Sequence, residues 1–165
     1  MTALVPRHAS ITSFKLAGLE IDWASLEELK SLRRLKKMTA VGIHINRRWI
    51  SLISRCSNLQ RLYLKLYDGN ATSDNAALQK IALYAAAAAW PQLESIHFAE
   101  HRMVDDDLAI LLSALKRCHF LDVCGFWPRS SQAFHKHFAT IETLNLCKCP
   151  TLTSMMVQEI LSSSP

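Results

Sequence analysis

A chain of 165 residues is long enough to bury a core of its own, and its length suits one domain. Half of its residues are hydrophobic, 20% are charged and only four are glycine, a balance that excludes a disordered or low-complexity chain. The net charge of +5 favours acidic partners without approaching a histone-like excess. The first ten residues, broken by Pro6, Arg7 and His8, hold no signal-peptide core. No apolar run approaches the ~18 residues of a membrane span, so no membrane partner is expected.

In chain order, "ITSFKLAGL" (11–19) reads as a strand and "SLEELKSL" (25–32) as a helix. "LKKMTAVGI" (35–43) and "RRWISLISRC" (47–56) repeat that order, and "LQRLYLKLY" (59–67) opens a third unit. This third unit is about nine residues longer than its neighbours, with the extra length around "YDGNATSDN" (67–75). Its helix, "SDNAALQKIALYAAAAAW" (73–90), is ended by Pro91. "LESIHFAEH" (93–101) is followed by "VDDDLAILLSALKRC" (104–118), where Leu108, Leu111, Leu112 and Leu115 fall at helical spacing behind an acidic first turn. "CHFLDVCGF" (118–126) and "IETLNLCKC" (141–149) supply the last two strands.

These six strand-like stretches share one frame. They start at residues 11, 35, 59, 93, 118 and 141, separations of 24, 24, 34, 25 and 23. All eighteen residues at the first, fourth and sixth places are apolar: Ile11, Phe14, Leu16; Leu35, Met38, Ala40; Leu59, Leu62, Leu64; Leu93, Ile96, Phe98; Cys118, Leu121, Val123; Ile141, Leu144, Leu146. Three of the four glycines, Gly18, Gly42 and Gly125, fall at the eighth place, where a bend leaving a strand favours a residue without Cβ. Neither the strand nor the helix of such a unit can bury its apolar face alone, so the units must stack.

The pattern resembles the leucine-rich repeat, and "LNLCKCPTLTSMMVQEIL" (144–161) resembles its cysteine-containing subtype. Leu144, Leu146, Cys149, Leu152 and Thr153, then Val157, Ile160 and Leu161, follow that subtype's order of strand, cysteine, Leu-Thr turn and helix. The other units carry Leu19, Ile43, Tyr67, His101 and Phe126 where Cys149 sits. The resemblance implies an α/β fold: a short horseshoe solenoid with about six parallel strands on the concave side and helices on the convex side, one domain over 1–165. No polar capping unit is legible at either end, so a fragment or truncated product of a longer repeat protein is expected.

The frame also sorts the cysteines. Cys149, at the ninth place, should turn inward and satisfy turn backbone groups or pack as a small hydrophobe. Cys147, at the seventh, should face outward beside Cys124 on the preceding strand, at a spacing of about 4.8 Å that a disulfide tolerates. Five cysteines with no sign of export point to reduced thiols in the cytoplasm or nucleus. The sequon at Asn70 would matter only in a secreted protein. No CxxC occurs, His135-Lys136-His137 reads as a solvated helix face, and neither metal nor cofactor is expected.

Third, fifth and seventh places should line the open face of the strands. There the cations Lys15, Lys37, Arg61 and Lys65 all lie in the first three units, with Tyr63, His97, Phe120 and a single acid, Asp122, beside or beyond them. These eight residues are the candidate binding set. Lys37, Arg61 and Lys65 with Tyr63 as an aromatic anchor would receive an acidic or phosphorylated protein segment. Trp23, Trp49, Trp90 and Trp127 lie off these strands and read as packing or edge residues.

Cysteine-containing repeats of this kind resemble those of F-box proteins, whose repeats hold a substrate while a separate F-box docks onto a ubiquitin ligase. No F-box pattern is visible in this chain, so ligase subunits would join only through a segment outside it. The resemblance implies a protein-binding scaffold, most simply the substrate-binding repeats of an F-box-type receptor. The alternatives are a free-standing regulatory or inhibitor repeat protein and a basic-faced nucleic-acid binder stacking bases on Tyr63 and Phe120. No catalytic residues are expected: there is no phosphate loop, GxSxG or HExxH, and a His97–Asp122 neighbourhood has no nucleophile.

Overall fold

The computed structural model describes residues 11–17, 33–43, 53–66, 87, 89–99, 104–132 and 140–162. Six strands run β1 (Ser13–Ala17), β2 (Lys37–Ile43), β3 (Arg61–Leu66), β4 (Ser95–Ala99), β5 (Phe120–Cys124) and β6 (Thr143–Asn145). Helix α1 (Asp105–Ala114) follows β4 and α2 (Ser154–Ser162) follows β6. The chain is therefore α/β, and its strands form one all-parallel sheet in the order β1-β2-β3-β4-β5-β6. Among the described residues no helix is long and apolar enough to cross a membrane.

The register reproduces the sequence frame. Ser13, Lys37, Arg61, Ser95, Phe120 and Thr143, all third-place residues, pair in one continuous row across the sheet. The same backbone bond recurs at every junction: the third-place N–H donates to the second-place carbonyl of the unit before. Its lengths are 2.9 Å (Lys37 to Thr12), 2.9 Å (Arg61 to Lys36), 3.0 Å (Ser95 to Gln60), 3.2 Å (Phe120 to Glu94) and 3.0 Å (Thr143 to His119).

A strand pleat sends alternate residues to opposite faces. Leu16, Met38, Ala40, Leu62, Leu64, Ile96, Phe98, Leu121 and Val123 accordingly line one buried face. Leu35, Leu59, Leu93 and Cys118, at the first places, enter the same core, as do Leu108, Leu111, Leu112 and Leu115 from the α1 segment. Each such leucine contributes roughly 1.5–3 kcal/mol relative to exposure. Trp90 is buried and donates its Nε1–H to the Ile53 carbonyl at 2.9 Å, which satisfies the one polar atom of its side chain. Trp127 is exposed, in keeping with an edge residue.

The turns explain the eighth-place glycines. Gly42 and Gly125 have φ of 65° and 82°, a region that costs other residues steric strain. Gly42 is also where the pairing of β2 with β3 shifts: Val41 pairs with Lys65 and Ile43 with Leu66, so the glycine is one residue extra. Lys148, the eighth place of the last unit, takes the same conformation at φ 52° with a full side chain.

Helix α1 begins where Asp107 accepts the Val104 N–H at 3.1 Å, and its acidic first turn complements the helix dipole. Asp105 accepts the Arg129 and Ser130 N–H groups at 3.0 and 2.8 Å, tying the segment after β5 to the start of α1. Thr153 caps α2 by accepting the Met156 N–H at 3.2 Å.

Several expected features lie outside the described residues: the helix-like stretch 25–32, most of 73–90, the insertion with Asn70, and Gly18. Leu19, Tyr67, His101, Trp23, Trp49 and His135-Lys136-His137 lie there as well.

Candidate functional site

The face opposite the apolar one carries two adjacent rows of interest. In the third-place row, Lys37 and Arg61 are exposed, and Ser95 and Phe120 are half-buried. In the fifth-place row, Lys15, Thr39, Tyr63, His97, Asp122 and Asn145 stand on successive strands.

One hollow of about 270 Å³ opens between these rows. Lys37, Arg61, Tyr63, Ser95, His97 and Phe120 line it. The structure thus brings together five of the eight candidate residues: Lys37, Arg61, Tyr63, His97 and Phe120. Lys15, Lys65 and Asp122 do not line it. Lys15 is exposed on β1, and Lys65 is half-buried one row further along β3.

Behind the hollow runs a polar chain across four strands. The Tyr63 and His97 rings stack with centroids 4.1 Å apart and planes within 9°. His97 Nδ1 meets Asp122 Oδ2, and Asn145 donates its Nδ2–H to the same oxygen at 3.0 Å. Asn145 Oδ1 in turn accepts the Cys147 N–H at 3.1 Å. Asp122 Oδ1 and His97 Nε2 are buried and have no hydrogen-bond partner among the described residues. The pair corrects one expectation. Asp122 lies on the anticipated face but is only 4% exposed, so it is not a surface contact. His97 and Asn145, its register neighbours on the two adjoining strands, both meet its Oδ2, so it acts as an anchor for them.

Cys124, also expected outward, is buried for a related reason: it sits at the end of β5 against the turn that carries Cys147. The Gly125 N–H donates to the Cys147 carbonyl at 2.9 Å, which extends the parallel ladder past β6 and sets Cys124 beside Cys147. All five cysteines are free thiols. The hydrogen bond with the Cys147 thiol, and then burial, push Cys124 up to about 11. Cys149 lies within hydrogen-bond reach of the Val123 and Cys147 carbonyls, at 3.7 and 3.5 Å, so its thiol serves the turn backbone. Burial raises it as well. Among the described residues no group of three or more His, Cys, Asp or Glu side chains converges on a metal position.

Burial pushes Cys56 and Cys118 from 9.0 up to about 11. A folded value above the unfolded one stabilises the fold fully below about pH 9. That contribution is then lost as pH rises through 11. The urea midpoint is expected to lose this contribution between these two pH values. A Cys56→Ala/Cys118→Ala variant should be less stable at pH 8 yet show a flatter alkaline slope. An unchanged slope would rule out these thiols as the cause.

The candidate set holds five residues of the hollow but omits Ser95, which lines it, and Asn145, which anchors Asp122 beside it. The signal for Ser95 was its small size between Arg61 and Phe120 in one row. For Asn145 it was an amide one strand from the only acid. Comparison with protein families and with curated proteins returns no match for this chain.

Proposed function

We propose that this chain is a leucine-rich-repeat scaffold that holds a protein partner against its open sheet face. The observation that carries this reading is the hollow of about 270 Å³, with Lys37 and Arg61 at one side and the Tyr63, His97 and Phe120 rings around it. Two exposed cations beside aromatic rings suit an acidic protein segment: the cations steer and orient it, and the rings supply the desolvated anchor. One strand per unit, laid in sequence order with the frames in register, supports the repeat reading. So does a helix after β4 and after β6.

The resemblance of residues 144–161 to the cysteine-containing subtype extends this to a substrate-binding repeat region of an F-box-type ubiquitin-ligase receptor. A free-standing regulatory repeat protein would use the same face. In either case the chemistry is recognition, with no bond made or broken by this chain.

The test is a peptide array of acidic and phosphorylated segments probed with wild-type protein and with Lys37→Glu/Arg61→Glu. The charge reversal is expected to bring acidic-peptide retention to background while the circular dichroism spectrum stays unchanged, since both side chains are exposed. Equal retention by the two proteins would reject this face as the binding surface.

A further inference from the structure

The hollow has a specific shape, and the strand register explains it. In the third-place row Arg61, Ser95 and Phe120 occupy three successive strands. A small side chain stands between two large ones. Neighbouring strands lie about 4.8 Å apart, so Arg61 and Phe120 rise from columns roughly 9.6 Å apart with only a hydroxymethyl between them. A planar ring placed in the Ser95 column would sit about one strand spacing from each neighbour. That spacing falls inside the ~4.5–7 Å preferred by aromatic pairs and within the ~6 Å reach of a cation over a ring. The adjoining row already shows such stacking, with Tyr63 and His97 on the same two strands as Arg61 and Ser95. His97 is held there by Asp122, which is itself held by Asn145, so this wall is fixed in advance.

We infer that the gap over Ser95 is a slot for an aromatic side chain of the partner, inserted between Phe120 and Arg61. This rests on the scaffold reading above and specifies what the scaffold selects: an aromatic residue flanked by acidic ones. The flanking carboxylates face Lys37 and Arg61, the two cations that line the hollow among the described residues. A purely acidic segment satisfies the cations and leaves the slot filled with water. A purely aromatic one fills the slot and leaves Lys37 unanswered.

The experiment is calorimetric titration of two synthetic peptides, Gly-Glu-Glu-Tyr-Glu-Glu-Gly and its counterpart with alanine for tyrosine. Each is titrated into wild-type protein, Ser95→Phe and Ser95→Ala. Wild type and Ser95→Ala are expected to bind the tyrosine peptide at least tenfold more tightly than the alanine peptide. In Ser95→Phe, whose own ring occupies the slot, that ratio should fall below twofold. Should Ser95→Phe fail to fold, Phe120→Ala removes one wall and should reduce the ratio in the same way.

Equal binding of both peptides to wild type would overturn the slot. If that binding were still lost in Lys37→Glu/Arg61→Glu, the scaffold reading would survive. Failure of both peptides to bind would overturn both readings. Tighter retention of a single-stranded oligonucleotide, sensitive to Ser95→Phe, would assign the slot to nucleobases and overturn the protein ligand.

Discussion

Phe98→Ala is expected to destabilise the fold by about 3–5 kcal/mol, the range for emptying a fully buried aromatic site. Phe98 is 0% exposed on β4, and its register neighbours are Leu64 on β3 and Val123 on β5. Both are buried, so the vacated volume adjoins side chains already fixed by their own strands, and the site can collapse only in part. Domains of this kind are held by roughly 5–15 kcal/mol in total, so one substitution removes about a fifth of that margin or more. Urea unfolding followed by circular dichroism measures the loss, with Phe98→Leu as the milder control. A cost below about 1 kcal/mol would mean that β4 is not the packed centre of the sheet.

Removing the partner of a buried charge should cost a similar amount by different physics. His97→Phe keeps a ring beside Tyr63 but deletes the Nδ1–H that meets Asp122. Asp122, 4% exposed, would then keep, among the described residues, the 3.0 Å bond from Asn145 alone. Stripping one member from a buried pair costs about 3–5 kcal/mol, because the remaining charge is left uncompensated. Adding Asp122→Asn to His97→Phe removes that charge, and the double variant should recover most of the loss. Such recovery is the non-additive signature of direct coupling. If the two substitutions simply add, the His97–Asp122 contact does not contribute to stability as the geometry implies.

The period of the apolar pattern made the sheet legible. First, fourth and sixth places repeat in six stretches, and that repetition requires one row of each kind to run across parallel strands. The frame therefore placed Ser13, Lys37, Arg61, Ser95, Phe120 and Thr143 in one row, where the register has them. Alternation assigns a side chain to a face but not to a depth. Asp122 and Cys124 share the open face with Lys37, yet they are buried and Lys37 is exposed. Depth depends on the sizes and hydrogen bonds of residues about two dozen positions away. The positive φ of Lys148 escaped for another reason: the frame marks the eighth place as a bend, but a lysine there gives no local sign of it. The candidate site was half-legible in the same sense. Its members were named one by one, whereas the hollow depends on what is small between them.

The recurring junction bond, from the third-place N–H of one unit to the second-place carbonyl of the one before, has a consequence for how damage spreads. Among the described residues each strand is paired only with its neighbours in chain order, so the sheet behaves as a linear chain of couplings. β4 is paired on both sides, while among the described residues the three-residue β6 is paired with β5 alone. A weakened junction therefore leaves units on its far side attached to one another but cut off from the rest. Order is lost in blocks, like a zipper opened at one tooth. The slot over Ser95 spans the β3–β4 and β4–β5 junctions, so a partner seated there would clasp two couplings at once and hold the middle of the array closed.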